Sequence, residues 1–282
     1  MPAGSEPPAA AHQREVETWR AERLARLRRP DGWLTLVGLY WLEQGENRVG
    51  SDASSVVRLP AAAAPARLGT IVLSGSSIRF RAEPGALVTS GDRPIQETDL
   101  QADQSGEPTI LRHGSLSFYV IQRDERLGVR VKDANAEALK RFRGLESFPF
   151  SETWRVAARF EPSSPPRHIS VPNVLGNITS EESPGALAFE YGGKTYRLDA
   201  VLEAGTNDFF IIFGDSTNGH ETYGAGRFLY ASPPKDGRTV LDFNKAYNPP
   251  CVFTPYATCP LPPPQNRLPI RIEAGEKNYE HE

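Results

Sequence analysis

Two neighbouring stretches near the C-terminal end hold the residue types that chemistry needs. The first, residues 214–226, reads GDSTNGHETYGAG. It sets Asp215, His220, Glu221 and Tyr223 among four glycines and runs directly into Arg227. Glycine lets backbone approach a ligand closely, and loops on a rigid β scaffold are where binding residues gather. The second stretch, residues 244–267, reads NKAYNPPCVFTPYATCPLPPPQNR. It shows no hydrophobic period, and a structureless loop of this length in a compact domain is either functional or disordered. Tyr247, Val252, Phe253 and Tyr256 argue against disorder. The prolines lower the entropy lost in fixing an irregular path. An ordered loop packed back on a sheet is therefore expected, walling one polar site together with the glycine-spaced loop ahead of it.

Several chemistries fit those residues. Acid–base work would use Glu221 as general base and Asp242 to orient a partner, with Tyr223 or Arg227 holding an anion. Thiol catalysis would use Cys251 or Cys259 as nucleophile and His220 as base. The plainer reading makes both cysteines small buried hydrophobes, and it is preferred. The spacing C-x7-C matches no zinc motif. His220-Glu221 is not H-E-x-x-H, so no metal is assigned, and no cofactor is identified. Asn244, Asn248 and Asn266 bracket the proline-rich loop, with Glu276 beyond. Asn side chains also satisfy backbone groups that an irregular loop leaves unpaired, which is the favoured role for Asn248 and Asn266. Asp242 sits in an alternating run, so its carboxylate is expected to point inward and to need a partner, Arg227 or Lys245. The expected site thus comprises Glu221, Asp242 and His220 as catalytic residues, with Tyr223, Arg227, Asn244, Asn248 and Cys251 as ligand contacts.

The elements that would position these groups are mostly strands. A helix is expected over Arg14 to Arg29, with Val16, Trp19, Leu24 and Leu27 near one face and Glu22 paired forward to Arg26. Trp33–Leu42 is a buried segment whose period does not decide between strand and helix. Short strands follow: Thr70–Leu73 with Ile78–Arg81, then Ala86–Thr89, then Ser115–Gln122 with Leu127–Val131. A short helix covers Ala136–Arg143, closed by Gly144. Strands continue at Thr153–Phe160, His168–Val171, Ala186–Tyr191, Thr195–Ala200, Phe209–Phe213, Arg227–Ala231, Thr239–Phe243 and Leu268–Glu273. Gly192-Gly193 is a strong hairpin signal. The 25 prolines and 24 glycines disfavour long helices. Thirteen Phe, nine Tyr and four Trp can anchor a core.

Composition excludes some partners. The formal charge of −3 gives no basic excess for a polynucleotide. The longest apolar run, Trp33–Leu42, falls short of the roughly 20 residues of a spanning helix, so no membrane partner is expected. Two cysteines make no disulfide framework, and the N-terminal stretch has no apolar h-region. The reading is a cytoplasmic protein, although a pairing of the two cysteines stays open outside a reducing compartment.

GWLTLVGL at 32–39, HETYGAGRFLYA at 220–231 and DFNKAYNPPC…TCPLPP…NRLPI…AGEK beyond resemble an uncharacterised bacterial and archaeal family, a domain of unknown function, over Trp19 to Lys277. That resemblance implies no activity, cofactor or catalytic residue. Residues 39–132, opening Leu42-x-x-Gly45-x-Asn47-x-Val49-Gly50, also resemble a forkhead-associated β-sandwich. Such domains bind phosphothreonine through an Arg after the glycine and a later Ser, whereas here Ser51 follows Gly50. At fold level the likeness implies a sandwich.

The expectation is therefore a mainly β protein. Two adjoining antiparallel units, sandwich or partly open barrel, would carry an N-terminal helix. Residues 1–12 would be a disordered lead-in, 13–161 the helix with a sandwich-like half, and 167–282 a C-terminal β half, divided at Pro162–Pro166. The leading function is an enzyme or binding protein for a small polar molecule, with its site in the C-terminal half. The alternative is a non-catalytic interaction module in which the C-terminal motif is structural.

Overall fold

The computed structural model describes residues 7–203 and 205–280. The protein is mainly β, as expected, with antiparallel sheets and one long helix. That helix, α1 (Pro8–Leu27), starts earlier than the sequence pattern placed it. Residues 8–12 of the expected lead-in are helical, while residues 1–6 lie outside the described residues. Pro8 opens the helix, where its missing N–H goes unneeded, and the alanines after it are strong helix formers. One stripe of α1 is buried: His12, Val16, Arg23 and Leu27, a spacing that keeps one face inward.

The chain forms two compact units. The first is Leu27–Phe142 with Phe253–Ala257. Its strands are β1 (Leu36–Trp41), β2 (Gly45–Gly50), β3 (Val57–Arg58), β4 (Gly69–Ser74), β5 (Ser77–Ala82), β6 (Thr89–Ser90), β7 (Arg93–Pro94), β8 (Glu97–Asp99), β9 (Leu111–His113), β10 (Leu116–Arg123) and β11 (Arg126–Asp133). They make two sheets, β1-β11-β10-β9-β6-β7 and β3-β2-β4-β5-β8. Val49, Ile71 and Phe80 from one sheet and Phe118, Val129 and Val131 from the other share a single core. The undecided segment Trp33–Leu42 is a short 3-10 turn followed by β1. The β4–β5 hairpin closes at Ser74 and Ser77 around Gly75, between the two strands expected there. Ala86–Thr89 is irregular until β6. A short helix, α2 (Glu137–Arg141), ends this part of the chain.

The second unit contains α1 up to Arg26, Arg143–Val252 and the chain from Thr258 onward. Its strands are β12 (Arg155–Pro172), β13 (Ile178–Tyr191), β14 (Lys194–Leu202), β15 (Phe209–Phe213), β16 (Arg227–Ala231) and β17 (Arg238–Asp242). They form one sheet, β16-β15-β14-β13-β12-β17, in half-barrel form. Pro162–Pro166 is not a boundary. It lies inside β12, where the β12–β13 register shifts between Pro162 and Arg167, so the prolines fall at a bulge in a continuous strand. Gly192 and Gly193 both have positive φ and close the β13–β14 hairpin. Fully buried Phe243 lies within 6.0 Å of the Trp154, Phe189 and Phe213 rings, and with Leu187, Leu241 and Ile272 it forms this unit's core.

The helix belongs with this second unit rather than with the N-terminal strands. Arg23 on α1 donates to Glu276 at 3.1 Å and to the Asn248 carbonyl at 2.9 Å. Its guanidinium lies 4.8 Å over the Tyr247 ring. Leu268–Glu273, expected to be a strand, makes no ladder and runs as an irregular segment.

Candidate functional site

The two stretches singled out from sequence do meet in the half-barrel unit. Gly214 donates to the Asn266 carbonyl at 3.0 Å, and Leu268 donates back to the Gly214 carbonyl at 2.8 Å. Gly226 has φ +94°, and a Cβ there would come within 2.4 Å of Pro262. Only glycine suits that approach. The proline-rich stretch is ordered through short 3-10 turns at Phe243–Lys245, Pro250–Val252 and Pro264–Asn266.

What the stretches build together is mainly a lock. Arg227 opens β16 with its side chain fully buried. Its guanidinium donates to Asp215 at 2.7 Å, to the Ile272 carbonyl at 3.0 Å and to the Ala274 carbonyl. Both side chains of the Arg227–Asp215 pair are 0% exposed. Burial pulls the guanidinium pKa down, and the Asp215 charge opposes that pull. Asp215 also accepts from the Thr217 amide at 2.8 Å and the Thr217 hydroxyl at 2.6 Å. The anion that Arg227 holds is thus a residue of its own chain. Its terminal N–H groups also take up the Ile272 and Ala274 carbonyls of the segment after Leu268, so part of that segment's backbone is satisfied without a strand partner.

The asparagines act in the same way. Asn244 accepts from the Ser151 amide at 3.0 Å and donates to the Ser151 carbonyl at 2.9 Å, as a strand partner would. Asn248 donates from its amide to Glu276 at 2.7 Å and from its side chain to the Lys277 carbonyl at 2.8 Å. Asn266 donates to the carbonyls of Asp199 and Ile212, each at 2.9 Å, bridging β14 and β15.

The expected acid–base residues have separate partners. Asp242 points inward, as expected, and of its two expected partners Lys245 pairs with it while Arg227 pairs elsewhere. His12 of α1 lies 2.8 Å from its carboxylate, Asn244 donates to it at 3.0 Å, and Lys245 stands at 3.9 Å. Glu221 is ion-paired with Arg271, whose hydrogen bond holds the Glu221 carboxyl below the usual carboxylate range. His220 is exposed. A cleft of about 420 Å³ does lie between the two stretches, lined by Gly214, Ser216, Asn218 and Arg267 among others, and no residue expected to form the site lines it.

Tyr223 and Cys251 do come together. The Tyr223 hydroxyl donates to the Cys251 sulfur at 3.6 Å, and the Cys251 amide donates to the Cys259 sulfur at 3.1 Å. Cys259 is buried, Cys251 is half-buried, and neither is in a disulfide. A hydrogen bond from the Cys259 side chain draws the Cys251 pKa down to about 7, against the opposing effect of burial and with help from Tyr223. Burial, and then the Cys251 sulfur, push the Tyr223 hydroxyl up.

A second cleft, of about 830 Å³, opens over β12 and β14. Its lining includes Glu161, Arg167, His168, Arg197, Asp199 and Gln265. Asp199 is buried there, paired with Arg167 and accepting from Gln265 at 2.9 Å. Sequence reasoning missed this cleft, because single charged residues on three separate segments carry no local pattern. His12 and Arg23 were also missed, yet both interrupt the apolar stripe of α1, a visible signal for buried polar partners. Among the described residues, no group of three or more His, Cys, Asp or Glu is placed to hold a metal, and no helix is long and apolar enough to cross a membrane.

A mainly β unit whose C-terminal segment is pinned by a buried arginine is the class this architecture defines. Residues 140–277 match the family described as protein of unknown function (DUF1684), and the chain belongs to that family. The match begins well after Trp19, where the sequence resemblance was expected to start. Among solved structures, the chain is similar to an uncharacterized protein of Haloarcula marismortui, at 30% identity and TM-score 0.43, covering 50% of this chain and 80% of that one. Two FHA domains match at 18% identity and TM-score 0.24, each over 33% of this chain. One was studied for phosphothreonine-dependent interactions and the other, from FhaA, in complex with the intracellular domain of Rv3910; the matches cover 92% and 97% of those chains. Comparison with curated proteins gives no match.

Proposed function

We propose that the half-barrel unit binds a small zwitterionic molecule in the cleft over β12 and β14. The observation that carries this reading is the state of Asp199. Its backbone is clamped on both sides by Asn266, with the Asp199 amide donating at 2.7 Å and its carbonyl accepting at 2.9 Å. Its carboxylate sits at the cleft floor, 8% exposed, while the side chain of its partner Arg167 is 48% exposed. Gln265, the other donor, is also exposed. A fixed, desolvated anion faced by surface side chains is available to a ligand ammonium without repacking of the core. The Arg167 displaced in this way, with Arg197 and His168 nearby, meets the ligand's carboxylate. The volume lies within the usual range of roughly 300–1,000 Å³ for small-molecule sites.

Binding is favoured over hydrolysis because Glu221, the expected general base, is ion-paired with Arg271 and does not line this cleft. Isothermal titration of the full chain with free amino acids, matched amines and matched carboxylates tests the proposal. A zwitterion is expected to bind saturably and at least tenfold more tightly than either half-analogue, and Asp199→Asn is expected to abolish that binding. Unsaturable titrations across the panel, or a D199N protein that binds like the wild type, would defeat it.

A further inference from the structure

We propose that Cys251 and Cys259 form a redox-active dithiol that reduces hydroperoxides, with Cys251 as the attacking sulfur and Cys259 as the resolving one. The site is separate from the β12–β14 cleft and does not depend on ligand binding there.

Three observations carry the proposal. The Cys259 sulfur lies 3.1 Å from the Cys251 amide, so the second thiol sits against the first residue's backbone. The Tyr223 hydroxyl donates to the Cys251 sulfur at 3.6 Å, a contact that stabilises a thiolate. The two cysteines differ in access: Cys251 is half-buried, Cys259 is 4% exposed. A half-buried cysteine whose sulfur accepts from a hydroxyl, beside a buried cysteine whose sulfur touches its backbone, is an arrangement that suits a peroxide-reactive pair. The sulfur's acidity, moved to about 7 by the Cys259 hydrogen bond, agrees with the geometry.

The chemistry balances in two steps. The Cys251 thiolate attacks the terminal oxygen of a hydroperoxide and breaks the O–O bond. The leaving alkoxide takes the proton lost by the thiol and departs as an alcohol, or as water when the oxidant is hydrogen peroxide. Sulfur is oxidised to the sulfenic acid and the peroxide is reduced. The Cys259 thiol then attacks the Cys251 sulfur, its proton leaves with the hydroxyl as water, and the disulfide forms. A small dithiol returns both thiols by exchange. Tyr223 is a positioning residue that holds the Cys251 thiolate.

The test treats the full chain with one equivalent of hydrogen peroxide and maps the peptides under non-reducing conditions. The expected product is a Cys251–Cys259 cross-link, reversed by dithiothreitol. In Cys259→Ser, dimedone should trap a sulfenic acid at residue 251, and in Cys251→Ser the remaining thiol should react at least tenfold more slowly. Iodoacetamide labelling of Cys251 should rise with a midpoint near pH 7, and Tyr223→Phe should move that midpoint upward with the fold intact by circular dichroism. A wild-type chain that yields no cross-link, a C259S protein that traps nothing, or Cys251 labelling with a midpoint at or above that of a free cysteine, about 8.5, would each overturn the proposal.

Discussion

Arg227–Asp215 and Arg167–Asp199 are the same pair of residue types in two settings of one unit. The first is sealed, with both side chains at 0% exposure. The second joins a shielded carboxylate to a guanidinium that is 48% exposed. In the first, the arginine's terminal nitrogens are also committed to backbone carbonyls of residues 272 and 274. In the second, no such commitment is needed, because solvent reaches the guanidinium. Burial, rather than residue identity, decides whether a charge pair is sealed into the architecture or stays open to solvent. A buried pair is costly to break, because the partner left behind is an uncompensated charge in a low-dielectric interior.

The contrast can be broken by mutation. Arg227→Ala should destabilise the protein by about 3–5 kcal/mol, the range for orphaning a buried charge, read as a lowered urea midpoint. Equal losses for R227A and Arg167→Ala would erase the distinction. Asn266→Ala leaves the Asp199 amide and the Ile212 carbonyl without their partner, and should lower stability by about 1–3 kcal/mol; intact D199-dependent binding in that variant would show that the floor of the cleft needs no clamp. Arg167→Ala should cost less than R227A, about 1–3 kcal/mol, because Asp199 keeps its Gln265 bond and solvent reaches the vacated side, by the same unfolding curves. The smallest shift is expected for Glu221→Gln. The Glu221 pKa is lowered in the folded protein, so its contribution is present above the unfolded value and fades as pH falls through the folded one. The wild-type and E221Q midpoints should therefore differ slightly at neutral pH and converge in acid.

The sequence disclosed most where a residue's role is local. The Gly192-Gly193 and Ser74–Ser77 hairpins and the buried run Phe209–Phe213 follow from period and turn chemistry. The proline-rich stretch was read correctly as ordered because its aromatics need a core. Asn248 and Asn266 take up backbone groups, as favoured. What failed involves partners distant in the chain. Asp242 has His12 as its nearest charged partner, with the expected Lys245 further off at 3.9 Å, and Leu268–Glu273 makes no ladder because its polar groups go to Gly214, Ser216, Asp215 and Arg227. Pro162–Pro166 looked like a linker because proline spacing cannot distinguish a bulge in a long strand from a break between units. The thiol cluster was half visible: Tyr223 and Cys251 were both named, but the base assigned to the cysteine was His220, whereas the groups that reach its sulfur are Tyr223 and Cys259.

The bond from Arg23 to Glu276 spans 253 positions of sequence, and that from His12 to Asp242 spans 230. Contacts of such separation require a large loop to close before they return any stabilisation, and chains rich in them fold slowly. During synthesis, α1 must wait until residues 242 and 276 have emerged before its polar stripe finds its counterparts. Until then His12 and Arg23 keep that face hydrated, a safeguard against early association that an all-apolar stripe would lack.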